Sequence, residues 1–152
     1  MPDHNEDSSI KPIRRYGKGD QVHVTAQRIW MILVALAKAR TLPDVTIRPP
    51  SRTVPTITYG ELCEMVERSY KAGRTLGREL MTVGAYCKLN GLPCLNALVV
   101  NLGGDCGHGV VLTDGNDPAM ERRAISKVDW FKFGVPTTGT LRKVYSAESK
   151  AH

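Results

Sequence analysis

The chain has 152 residues, 41% of them hydrophobic and 24% charged, the make-up of a soluble globular protein with one sizeable core. Lys and Arg number 21 against 15 Asp and Glu, a formal charge of +6. No run approaches the ~20 apolar residues of a membrane span, and the polar, acidic opening MPDHNEDSSI is no secretory signal, so no membrane association is expected. Four cysteines, at 63, 87, 94 and 106, have neither the paired spacing of a zinc module nor the density of a disulfide-stapled domain. That usage points to a reducing cytoplasm, with no metal and no cofactor implied. Residues 1–20 carry four charges of each sign, so the basic excess lies wholly in 21–152. A basic folded body favours an anionic partner, nucleic acid first.

Residues 1–20 lack apolar periodicity and read as a disordered N-terminal arm. From about Val22, and clearly from Thr25, the pattern is helical: Ile29, Ile32, Leu33 and Leu36 recur at spacings of three and four, with Trp30 beside them. Pro43 ends that helix, and 41–57, with four prolines, reads as an extended connection. Thr58-Tyr59-Gly60-Glu61 has the spacing of a capping box, predicting a second helix with Leu62, Met65 and Val66 inward. Ser69 is an N-cap candidate for a third helix from Tyr70 to about Val83, with Gly84 as a break or bend before a further turn to Asn90. After Leu92-Pro93 the period changes. Leu95–Asn101 and Val110–Thr113, either side of the glycine-rich stretch Gly103–Gly109, predict a β-hairpin. Asp117-Pro118 opens a last helix, with Met120, Ala124, Val128 and Phe131 inward and Gly134 at its end. Residues 135–152 are mostly polar and read as a loosely held C-terminal tail. The expectation is one mostly α domain of the α/β class over 21–134, winged-helix-like, with a helix–turn–helix and a short β-hairpin.

At 100° per residue, Ala72, Leu76, Leu80 and Val83 of the third helix fall within an arc of about 80°, and Arg68, Lys71, Arg74 and Arg78 occupy a separate arc of about 120°. One side is core and another cationic, on the element that enters the groove in helix–turn–helix proteins. Gly73 and Gly77 cost ~1 kcal/mol each against alanine in a helix interior, which close approach to another surface would offset. The competing reading is a solvated basic face partnered by Glu67 and Glu79.

Four segments, in order over about 25–133, carry a family resemblance. Gln27-Arg28-Ile29-Trp30-Met31-Ile32-Leu33, Thr58-Tyr59-Gly60-Glu61-Leu62, Ala72-Gly73-Arg74-Thr75-Leu76-Gly77, and Leu92-Pro93-Cys94 followed by Val99-Val100 are similar to the C-terminal domain of the alkylguanine-DNA alkyltransferases. The resemblance implies a winged helix that enters the minor groove of duplex DNA and rotates a damaged nucleotide out of the stack. It assigns Arg74 as the wedge that fills the vacated space and Tyr59 as the residue that displaces the nucleotide's phosphate, chemistry that suits a guanidinium and a phenol. Lys71, Arg78 and Arg68 then neutralise phosphates. The family's reactive cysteine corresponds to Cys94, but Leu95 and Asn96 stand where the family has the histidine and arginine. A thiol of pKa ~8.5 without that base is only a few per cent thiolate at neutral pH.

The expected function is therefore a non-catalytic, alkyltransferase-like protein that binds double-stranded DNA and extends to the sensing of modified bases. The alternatives are a one-turnover alkyltransferase with Cys94 as alkyl acceptor, and an interaction domain whose basic helix meets an acidic protein. Cys94 also reads as a buried small apolar residue. Cys106-Gly107-His108 reads as loop, Gly103-Gly104-Asp105 as the wing, and Trp30 and Trp130 as core. Arg122, Arg123, Lys127 and Lys132, on the last helix away from its apolar side, read either as a solvated face or as an extension of the phosphate-contacting surface.

Overall fold

A computed structural model of the chain describes residues 12–13, 21–39, 55–67, 76–107 and 110–151. Its elements are α1 (Gln21–Ala39), β1 (Ile57–Thr58), α2 (Tyr59–Met65), α3 (Gly77–Leu89), a 3₁₀ turn at Leu95–Leu98, β2 (Val99–Val100), α4 (Pro118–Ser126), a 3₁₀ turn at Trp130–Lys132 and α5 (Thr138–Ala151). The mostly helical class holds. The arm over 1–20, apart from Ile13 and Pro12, and the start predicted for the third helix at Tyr70 lie outside the described residues.

Helices α1, α3 and α5 pack against one another, and the Leu95–Leu98 turn sits against α1, α3 and α4. Ala26, Ile29, Trp30, Leu33 and Ala37 form the inner stripe of α1, facing Leu80, Val83 and Cys87 of α3. Trp30 is the hub: its ring stands edge-on to Trp130 at 5.9 Å and to Tyr86 at 5.3 Å. The Trp130 indole N–H donates to the Ile125 carbonyl at 3.0 Å, so the buried ring leaves no donor unsatisfied. Two local signals hold in full. Thr58 Oγ1 accepts from the Glu61 amide at 3.1 Å while the Glu61 carboxylate accepts from the Thr58 amide at 3.0 Å, closing the capping box. Asp117 caps α4 by accepting from the Met120 amide at 2.8 Å, with Pro118 in the first turn.

The β-hairpin does not form. Val99–Val100 pairs instead with Ile57–Thr58, in parallel, with Ile57 opposite Val99 and Thr58 opposite Val100. Val110–Thr113 is irregular chain. A parallel pair needs a crossover connection, here residues 59–98 with α2 and α3 inside it. The predicted tail is also corrected: 138–151 is α5, anchored by buried Leu141 and Val144 and joined to α1 by the Gln27 amide donating to the Pro136 carbonyl at 3.0 Å.

Three inward assignments change. Met65 is exposed and its neighbour Cys63 is buried. Met120 is exposed because α4 turns Glu121 and Ile125 inward, and Phe131 is exposed in the 3₁₀ turn that buries Trp130. Lys38 lies 5.3 Å from the centroid of the exposed Phe131 ring while bonding Asp129 at 3.0 Å. Gly77 opens α3 rather than sitting in its interior, and a side chain there would meet nothing within 4 Å.

Gly84 does not break α3; the helix runs through it to Leu89. Its missing side chain admits Asn96: a Cβ there would stand 2.7 Å from Asn96 Oδ1 and 2.8 Å from Val111 Cβ. Asn96 itself is buried, and its Oδ1 has no hydrogen-bond partner among the described residues. Gly84→Ala must therefore push the segment after Cys94 away from α3. A loss of about 1–3 kcal/mol is expected, the usual cost of overpacking, read as a lower urea midpoint at unchanged m-value.

Candidate functional site: a cleft beside Tyr59 and a buried thiol–carboxylate pair

Tyr59 follows β1 and starts α2, so the capping box fixes its backbone. Its half-buried ring reaches across to the 103–107 loop, where the phenol oxygen bonds the backbone of Gly107. The approach is close: a Cβ on Gly107 would lie 2.8 Å from that oxygen. Burial raises the Tyr59 pKa above its ordinary value, the nearby Cys106 adds to the rise, and the Gly107 bond opposes it. On the facing side, Asn101 Oδ1 accepts from the amides of Gly103 at 2.9 Å and Asp105 at 3.1 Å, and the Asn101 amide donates to the Asp105 carbonyl at 2.8 Å. These bonds give the loop a fixed shape. Between the two walls opens a cleft of about 510 Å³ lined by Thr58, Tyr59, Gly60, Asn101, Leu102, Gly103 and Asp105. Leu102 stands at its lip, 85% exposed.

Behind that loop Cys106, of intermediate exposure, meets Arg122 of α4. The guanidinium donates through Nη2 to Cys106 Sγ at 3.3 Å and through Nε to the Ala97 carbonyl at 2.8 Å. Burial raises the Cys106 pKa, the Arg122 charge pulls it down, and Asp105 pushes it up again.

Cys94 lies elsewhere. It is 0% exposed, and its thiol bonds the carboxylate of Glu121, which is itself fully buried. That carboxylate also accepts from the Thr113 amide and, at 3.1 Å, from the Asn116 side chain. A smaller hollow of about 230 Å³, lined in part by Pro93, Thr113 and Glu121, adjoins this pair. Burial and then the Glu121 charge push the Cys94 thiol up to about 12; burial, with Cys94 and Glu121 nearby, does the same to Cys87. A thiol so placed is a hydrogen-bond donor to a carboxylate, with almost no thiolate at neutral pH.

Among the expected site residues, Tyr59 lines the larger cleft, whereas Cys94 and Arg78 do not. Arg78 is exposed in the first turn of α3. Arg68, Lys71 and Arg74 lie outside the described residues. Glu121, Arg122, Cys106 and Asn101 are the residues that sequence reasoning missed. Arg122, expected on the polar face of the last helix, fastens α4 to the Ala97 carbonyl and the Cys106 sulfur. Glu121 had a signal: with Ile125 and Val128 it makes the i, i+4, i+7 stripe of the buried face, once a carboxylate is admitted there.

Compared with protein-family models, curated proteins and solved structures, the chain matches none.

The two thiols pushed up to about 12, Cys87 and Cys94, set an alkaline limit. From the ordinary thiol range up to about 12, the folded protein keeps protons on Cys87 and Cys94 that the unfolded chain has released. Stability from this source is whole below that window and falls as pH rises through it, by up to about 1.4 kcal/mol per pH unit for each thiol. Urea midpoints followed across that range should therefore drop, and Cys94→Ala should make the drop shallower.

Proposed function

We propose that this protein binds duplex DNA through the start of α3 and the segment before it, without transferring an alkyl group. The observation that carries the reading is the two-sidedness of α3. Leu76, Leu80, Val83 and Cys87 are sealed in the core while Arg78, in the same first turn, is exposed. In the sequence Arg74, Lys71 and Arg68 precede Arg78 at spacings of three and four, on a chain of charge +6. Such a face neutralises phosphates, and its affinity comes from released counterions. In this reading Arg74 enters the groove, Tyr59 contacts a phosphate or nucleotide at the cleft, and modified bases are what the cleft distinguishes.

The placement of Cys94 supports the non-catalytic form of this reading over the alkyltransferase one. An alkyl acceptor must meet its substrate as a thiolate, and Cys94 is sealed, protonated and bonded to Glu121.

Duplex binding should weaken steeply as salt is added, with log K linear in log salt concentration. Arg78→Ala should reduce that slope by about 1. Lys71→Ala combined with Arg74→Ala should abolish retention of duplex at low salt; unchanged retention would reject the assignment. Recovery of one acidic protein, with no duplex binding at any ionic strength, would replace it with the interaction-domain reading.

A further inference from the structure

Residues 131–135, Phe-Lys-Phe-Gly-Val, are exposed at every position, and three of the five are apolar. Phe131 is 68% exposed and Phe133 44%, while the adjoining Trp130 is sealed in the core. Trp130 anchors the strip, its ring edge-on to Trp30 and, at 6.4 Å, to Phe133. Two contacts fix the strip's course. The Gln27 side chain bonds the Pro136 carbonyl, and Lys38 bonds Asp129 and lies over the Phe131 ring. Gln27, Met31, Val34 and Lys38 share one side of α1, at spacings of four, three and four. The strip therefore runs along that side, with the exposed Met31 midway.

The uncompensated charge around it has one sign. Helix α1 holds no acid, and from 122 to 147 the single acid is Asp129, which is paired with Lys38. Arg28, Lys127 and Lys132 are exposed and make no ion pair among the described residues. A second copy seated here would bring those cations against its own. Exposed rings interleaved with unpaired cations suit a polyanion that carries planar groups along its backbone. A duplex keeps its bases stacked on one another, whereas a single strand offers them.

We propose that Phe131 and Phe133, with Lys132 between them, form a stacking platform for single-stranded nucleic acid. Bases lie on the two rings, and Lys132, Lys127 and Arg28 neutralise the phosphates beside them. The platform uses no residue of α3 and does not rest on the duplex reading.

The probe is a fluorescein-labelled oligothymidylate of about 12 nucleotides, titrated with the full-length chain and followed by anisotropy. Binding is expected at low salt, and Lys132→Ala should reduce the slope of log K against log salt by about 0.7. Phe131→Ala should weaken binding about 5- to 150-fold. Phe131→Leu keeps an apolar side chain without the ring and should share most of that loss, while Phe131→Trp should retain affinity. No binding by the wild-type chain at low salt, or equal affinity for wild type and Phe131→Leu, overturns the proposal. Dimerisation, or sedimentation with phosphatidylserine vesicles, in place of oligothymidylate binding overturns it too, and gives the strip to a second copy or to lipid. The wild-type titration stands as a test even where a variant fails to fold. Oligothymidylate binding without duplex retention rejects the α3 reading alone, and the reverse result rejects this one alone.

Discussion

Because Ile57–Thr58 runs parallel to Val99–Val100, both segments leave the small sheet at the same edge. The next residue on one is Tyr59 and on the other Asn101, and these begin the two walls of the larger cleft. An antiparallel pairing of the same strands would have sent the two walls to opposite ends. Four residues of sheet could not hold this arrangement alone. What holds it is the core on either side: Leu62 and Cys63 under α2, and the wholly buried run from Cys94 to Val100. The cleft is thus a product of topology, its shape then set by the Asn101 side chain and the Tyr59–Gly107 contact.

The second constraint is a carboxyl group in the interior. A buried carboxylate is tolerated only when its oxygens are satisfied, and Glu121 has the Thr113 amide, the Asn116 side chain and the Cys94 thiol for that purpose. One side chain therefore ties the start of the core turn to the irregular chain before α4. This explains why Cys94 is a fixed structural donor.

Legibility followed the range of the interaction. Features written within a few residues were readable: the Thr58–Glu61 box, the Asp117–Pro118 start and the α1 stripe around Trp30. Features that depend on distant partners were not. Val99–Val100 looked like half of a hairpin because Val110–Thr113 is equally strand-like, while its true partner lies some 40 residues upstream with no local mark. Helix α5 was hidden by its composition, since its described side chains include only two fully buried apolar ones, Leu141 and Val144. Apolar residues were placed inward by default, which misplaced Met120 and Phe131 and concealed Glu121. In the candidate site Tyr59 is named by the family resemblance, and the cap explains only its placement; the cleft's far wall carries no such mark, because it is built from backbone amides gathered by Asn101.

Helix α4 carries opposite charges at adjacent positions, and each is committed to a different sulfur: Glu121 to Cys94 and Arg122 to Cys106. Arg122 also holds the Ala97 carbonyl, so the pair grips both ends of the short stretch from Cys94 to Ala97. A helix advances 100° per residue, so slipping α4 by a single position would carry the carboxylate toward the guanidinium's post. The rotational setting of one helix thus decides which sulfur faces a carboxylate and which a guanidinium.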